Sequence, residues 1–333
     1  MNPGDAVVGI LGAGVTGQAV GRTLRARGLR AAWSDIGVGV AVRASRRFGG
    51  VVLDDPSDLA VVDVVVLACP APHSHLAAEL LAEGCDVVSL SDDLDDIAAL
   101  IDLDELALSL GRRLVVGAGM SPGLTGVLAR HLAGQLDSTD EIHVALHGTG
   151  GPACARQHHD ALGSRAIGWH DGEWIEHPGG SGRELLWFPE PIGPADCYRG
   201  ALADPYLLRR AFPAAERISA RVSARRRDRL TARLPLLAPP HRDGDRGAIR
   251  VEVRGGMADG SRVTNVVGAV GRTGDIAGTV AALYAEACAT ERAHIGARVG
   301  GDDADLARWL LLAAVDAGVL LQEYTGIARL GAE

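Results

Sequence analysis

"AVVGILGAGVTGQAVGRTLRARGLRAAWSD", residues 6–35, decides the fold. A short apolar run, Val7 to Leu11, meets Gly12-x-Gly14-x-x-Gly17. A helical stretch then runs to Gly28, and a second short strand ends on Asp35. Each part has a mechanical reason. Gly12 permits a tight turn, Gly14 lets a pyrophosphate approach the amides around Val15 and Thr16, and Gly17 lets helix and strand pack closely. The helix N-terminus adds unpaired N–H groups and a positive dipole end. Asp35 can accept a hydrogen bond from a ribose 2′-hydroxyl and would repel a 2′-phosphate, so the cofactor is NAD or NADP with NAD favoured. Arg43, Arg46 and Arg47 follow closely as residues that could accommodate such a phosphate.

Outward from this unit the alternation continues. "VVDVVVLACPAP" (61–72) reads as a buried strand closed by Pro70 and Pro72, and "HSHLAAELLAEG" (73–84) as a helix. "DVVSLSDD" (86–93) and "RLVVGAG" (113–119) are strands, with helix between them and "MSPGLTGVLARHLAGQL" after the second. Such a pattern predicts right-handed βαβ units and a Rossmann-type doubly wound parallel sheet. Ligands of these sheets lie beyond the strand C-termini. The loops 69–75 and 117–125 are therefore expected at the cofactor, through Cys69, Pro70, Ala71, Gly119, Ser121 and Pro122. Ser121 reads as an N-cap with Pro122 at the first helical position. His73 and His75 read as polar helix-start residues or contacts on the nicotinamide side.

From about residue 140 the character changes. "DEIHVALHG" (140–148) alternates as a strand, and "AIGWHDGEWIEH" (166–177) as a hairpin turning at Asp171-Gly172. Residues 247–272 read as a second hairpin. An α+β substrate domain with a mixed or antiparallel sheet is expected. Residues 273–291 and 302–324 read as closing helices, with Trp309, Leu310 and Leu312 in a core or interface. The expected division is 1–130 for dinucleotide binding, 131–272 for substrate, and 273–333 for helices packing back on the first part.

Composition bounds the function. A length of 333 residues suits two domains, and no apolar run reaches the about 18 residues of a membrane span. The chain enters its first strand without a basic leader, and five scattered cysteines read as reduced thiols, which together predict a cytoplasmic protein. A net charge of −9 argues against nucleic acid. The basic run "ARRRDRLTAR" (224–233) reads as a solvated face or as a pocket edge for an anionic substrate. The chain contains no lysine, so all 33 Lys-plus-Arg positions are arginine. Arginine binds anions but does not donate and recover a proton, which excludes lysine Schiff-base and lysine acid–base chemistry.

"GILGAGVTGQAVGRTL", "DVVVLACPAPHSHLAAELLAEGCDVVSLSDD", "VVGAGMSPGLTGVLARHLA" and the late "VEVRGG…DG…TGDIAG" occur in the order of the saccharopine dehydrogenase-like reductases, which the chain resembles over most of its first 130 residues and in layout beyond. The resemblance implies a Rossmann domain, an α+β substrate domain inserted before the last helices, and NAD(P)-dependent chemistry at a carbon bearing nitrogen. It also implies a small-molecule substrate, a carboxylate-bearing amino, imino or opine-type acid, and a homodimer. The lysine that founding members place near the nicotinamide has no counterpart here. A protein of another class, a non-catalytic NAD(P)(H)-binding sensor or scaffold, is the alternative.

"GTGGPACARQHHDAL" (148–162) is outside the family's motifs. With Pro152 in a first helical turn, Cys154 and His158 share a face and His159 points about a quarter-turn away. A metal needs three or four ligands, of which this stretch supplies two; His147 or Cys197 would have to arrive from elsewhere, and no metal is expected. A thiol nucleophile at Cys154 and a plain helix with surface histidines are further readings. The reading that fits the cofactor best makes His158 or His159 the proton donor or acceptor. Gly150, Gly151 and Arg156 would then hold a substrate carboxylate, with Arg183 and Tyr198 as secondary binding and catalytic candidates.

Overall fold

The computed structural model describes residues 6–53, 55–236, 239–241 and 244–324. Its first part alternates strand and helix: β1 (Val7–Leu11), α1 (Val15–Ala26), β2 (Arg30–Ser34), α2 (Val38–Phe48), β3 (Val51–Val52) and, after a 3₁₀ turn, β4 (Val64–Leu67). Next come α3 (Ser74–Ala82), β5 (Asp86–Ser89), α4 (Leu94–Ile101), α5 (Asp104–Leu110), β6 (Arg113–Val116) and α6 (Leu124–Ala133). The second part runs β7 (Ser138–His147), α7 (Pro152–Gly163), β8 (Arg165–His170), β9 (Glu173–Pro178), β10 (Glu184–Phe188), β11 (Gly193–Arg199), α8 (Asp204–Ala211), β12 (Arg217–Ser223), α9 (Arg226–Leu230), β13 (Arg246–Gly256) and β14 (Arg262–Arg272). The described chain closes with α10 (Thr273–Ala289), β15 (Gly296–Val299), α11 (Ala304–Asp316) and β16 (Leu320–Tyr324).

The first sheet has the order β15-β6-β5-β4-β1-β2-β3, and every pairing in it is parallel. Its central strands are rich in β-branched residues and largely buried, as a sheet covered on both faces requires: β4 is Val-Val-Val-Leu with all four residues inside. Asp86 in β5 accepts from the Arg113 backbone N–H at 2.8 Å and from its guanidinium at 3.1 Å, which fixes β6 beside it. The second sheet, β10-β11-β12-β7-β13-β14-β16, is mixed: β12 pairs with β7 in parallel and the other pairs are antiparallel. The β8–β9 hairpin joins its side at β12 and turns on Asp171 (φ 49°) and Gly172 (φ 90°), the two positive φ values of a tight hairpin turn.

The closing segment belongs to both sheets. The reading of 302–324 as one helix is corrected here. Helix α11 stops at Asp316, Gly318 adopts φ 93°, and 320–324 pairs with β14 as an edge strand. Leu312 is 60% exposed and is not a core residue, whereas Leu310 is buried. Strand β15, Gly-Ala-Arg-Val, has a single β-branched residue to signal it and completes the parallel sheet beside β6. Between them, α10 packs along α1 at a seam of small residues: a Cβ on Gly278 would lie 2.5 Å from Ala19 Cβ and from the Thr16 carbonyl oxygen. No helix among the described residues is long and apolar enough to cross a membrane.

Candidate active site

A cleft of about 640 Å³ opens beyond the C-terminal ends of β1, β4, β5 and β6 and is roofed by the start of α7. The glycine turn forms one wall. Gly12 has φ 99°, and a Cβ there would meet the Ala68 backbone at 2.8 Å. Gly17 has no room for a Cβ against the Gly12 carbonyl, while a Cβ on Gly14 would meet nothing within 4 Å. These are the three distinct roles expected from the sequence: turn, open approach and close packing.

Helix α1 begins with no side-chain cap, and so do α7 and α10. Their starts converge. A methyl placed on Gly150 would lie 3.6 Å from Gly274 and 3.8 Å from Thr16 Oγ1, and one on Gly151 would lie 3.9 Å from Val15 Cγ2. Three helix N-termini, each a positive dipole end, thus lie together at one region of the cleft, an environment that favours an anion such as a pyrophosphate. Farther along, Asp35 accepts from the Ala13 N–H and the Gly37 N–H, each at 2.7 Å, so its carboxylate is held at the lip with lone pairs to spare. Ile36 beside it is fully exposed.

The opposite end is lined by Cys69, Pro70 and Ala71, by Gly119, Met120, Ser121 and Pro122, and by Leu90 to Asp92. His73 supports the first loop from behind. Its Nε2 lies 3.0 Å from the Cys69 carbonyl oxygen and its Nδ1 2.9 Å from Ser89 Oγ, while its backbone N–H donates to Asp96 at 2.9 Å. Burial pushes its pKa down, which keeps the ring neutral. His75 is on the surface, 3.4 Å from Glu79. Ser121 is not the helix cap expected of it: α6 starts at Leu124 after Gly123 (φ 123°), and Ser121 Oγ instead donates to Asp204 at 2.8 Å.

One polar cluster stands in this otherwise apolar end. Cys154 and His158, one turn apart on α7, place Sγ and Nε2 3.6 Å from each other. Asp92, from the loop after β5, brings a carboxylate oxygen within 4.8 Å of both. Burial pushes the Asp92 carboxyl up to about 6 against the opposing pull of His158 and of a hydrogen bond from Gln157. Burial also pushes His158 down, opposed by the Asp92 and Asp204 carboxylates. Asp92 and His158 thus act on each other's titration, each favouring the other's charged form against the burial that disfavours both. Burial, reinforced by Asp92, lifts the Cys154 thiol to about 12, so it is no nucleophile in this state. Behind them Asp204 is almost wholly buried, accepting from Ser121 and from Thr125 Oγ1 at 2.6 Å; burial raises its pKa.

Other sequence candidates lie elsewhere. The helical period that turns 154, 157 and 158 into the cleft turns His159 away: it is buried with Nε2 2.8 Å from the Leu234 carbonyl oxygen. Arg156 is exposed outside the cleft lining. Arg183 is on the surface and pairs with Asp196 at 3.0 Å. Tyr198 is buried in the second sheet with the Arg229 guanidinium 5.3 Å over its ring, which also ties down the basic run. His147 contacts Ser223 Oγ at 2.8 Å, and Cys197 is in a separate small core. Asp92 and Asp204 are the residues that sequence reading missed. A second hollow of about 610 Å³ on the mixed sheet is lined by Arg217, Arg221 and Arg250, which Glu141, Glu184 and Glu252 pair.

No protein-family model matches the sequence, and no curated protein does. Solved structures do match. A saccharopine dehydrogenase (L-Glu forming) of Saccharomyces cerevisiae aligns at a TM-score of 0.71 and 15% identity, over 96% of this chain and all of that one. GenD2 from gentamicin A biosynthesis, solved in complex with NAD, aligns at 0.49 and 16% identity over 96% of this chain and 97% of that one. In fold the chain is saccharopine dehydrogenase-like, a parallel dinucleotide-type sheet joined to a mixed sheet through shared C-terminal elements.

Proposed function

We propose that the protein is an NAD(P)-dependent oxidoreductase acting on a small amino-, imino- or opine-type acid. One observation carries this reading: the open glycine turn at α1 and the Asp92–His158 pair face the same cleft. The amides at the starts of α1, α7 and α10 would bind the pyrophosphate, Asp35 the adenosine ribose, and the Cys69–Ala71 and Gly119–Pro122 loops would flank the nicotinamide. The bound nicotinamide supplies or accepts the hydride. His158 moves the accompanying proton at the substrate heteroatom, and Asp92 holds the imidazole in place and takes up the positive charge that develops. Gln157 orients Asp92. The substrate nitrogen lies against Asp92. Arg156 and Arg183 do not reach the cleft, so they do not hold the substrate carboxylate. Water is kept from the reacting carbon by Leu90, Met120, Pro122 and Leu146.

The test is His158→Ala, assayed with NADH against a panel of keto, imino and amino acids. Turnover is expected to fall about 10²- to 10⁴-fold, the usual contribution of a positioned acid or base, with NADH affinity unchanged. Turnover that survives the substitution would remove His158 from the chemistry, and a protein that binds NADH but never turns over would be a sensor.

A further inference from the structure

We propose that Asp92, Cys154 and His158 form a site for one divalent transition ion of the zinc class. The donor set is one thiolate, one imidazole and one carboxylate, a mixture that suits zinc and not magnesium or calcium. Three protein ligands with the fourth direction open to a cleft is the arrangement of a zinc that binds an exchangeable water. The geometry agrees. Bonds of about 2.3 Å to sulfur and about 2.05 Å to nitrogen at a tetrahedral angle put those two atoms about 3.6 Å apart. Cys154 Sγ and His158 Nε2 are separated by 3.6 Å. The Asp92 oxygen, within 4.8 Å of both, approaches from the facing loop and would close to about 3.5 Å from each on binding an ion. Two ligands one turn apart on a helix and a third from the other half of the molecule also make the ion a clasp across the cleft.

On binding, the Cys154 thiol proton leaves to solvent, the Asp92 oxygen and the His158 nitrogen donate lone pairs, and water fills the fourth position. In this respect the inference rests on the function proposed above. The ion occupies the nitrogen that would carry the proton, so the loaded protein loses that transfer and zinc inhibits.

The purified full chain, stripped with a chelator, is titrated with Co²⁺ and then with Zn²⁺. One cobalt per chain is expected, with thiolate-to-cobalt absorption in the near ultraviolet and the visible bands of tetrahedral cobalt, all erased by zinc. Cys154→Ser should remove the ultraviolet band, and Asp92→Asn should weaken binding by about tenfold or more, roughly the loss of 1.4 kcal/mol; a single cooperative melting transition no lower than the parent's would show that both variants fold. Cobalt that gives no sulfur band, or that binds Cys154→Ser as tightly as the parent, overturns the site, as does absence of binding at millimolar metal. Turnover in metal-free buffer should fall on adding zinc and return with chelator. Zinc that binds through Cys154 and raises turnover would support the site and overturn the proton role of His158.

Discussion

Asp92 should be felt in stability and in activity with opposite signs. Its folded-state pKa of about 6 lies above the 3.8 of an ordinary aspartate, so the folded chain holds that proton more tightly than the unfolded chain does. The stability it contributes is complete below about pH 4 and is lost as pH rises to about 6, an effect of at most about 3 kcal/mol at about 1.4 kcal/mol per unit. In metal-free buffer Asp92→Asn should therefore melt above the parent at pH 7 and together with it at pH 4, while its turnover falls. A melting difference that stays constant across that range would contradict the burial account. Asp35 gives the second residue-scale prediction: Asp35→Ser should lower the preference for NADH over NADPH by about tenfold, the worth of a hydrogen bond to a charged group. An unchanged affinity ratio would remove the ribose contact. Asp35 was legible in the sequence because strand, turn and helix fix its place. Asp92 was not: beside Asp93, which caps α4 by accepting from the Asp96 N–H at 3.0 Å, it reads as another helix-start carboxylate. Only the arrival of α7 from the other half gives it a partner.

At the scale of elements, the same logic separates what local sequence dictates from what packing dictates. The βαβ units and both hairpins follow from local pattern and turn chemistry. The face of α7 followed as well, since spacing alone put Cys154 and His158 together, but not which of two adjacent histidines looks into the cleft. Strands β15 (Gly-Ala-Arg-Val) and β16 (Leu-Leu-Gln-Glu-Tyr) were lost because neither carries the run of β-branched residues that marks β4, β5 and β6, and each adds to a sheet built earlier in the chain. The α1–α10 seam is a packing feature of this kind. Gly278→Ala would press a methyl onto backbone atoms of α1, at 2.5 Å from the Thr16 oxygen and 2.8 Å from the Val20 nitrogen. A loss of about 1–3 kcal/mol is expected, seen as a melting temperature lower by a few degrees. A variant as stable as the parent would mean that the helices are not held this closely.

The whole molecule is a pair of sheets whose connection passes through α10, so the same helix that bridges the halves also presents its N-terminus to the glycine turn. The fold was legible at this scale, and of the candidate cleft the residues of its glycine-turn wall: Tyr198, Arg156 and Arg183 were drawn in by residue type, and tertiary packing places them in the second sheet and on the surface. The central claim is that the glycine turn receives a dinucleotide pyrophosphate and directs its redox ring towards Asp92 and His158. Calorimetric titration of the parent and of Gly14→Val with NADH tests this most directly, because a side chain at Gly14 enters only the open cleft. The account predicts saturable binding to the parent, at one site per chain, and its loss in the variant with melting unchanged. No heat with the parent, or equal affinity in the two proteins, would contradict it.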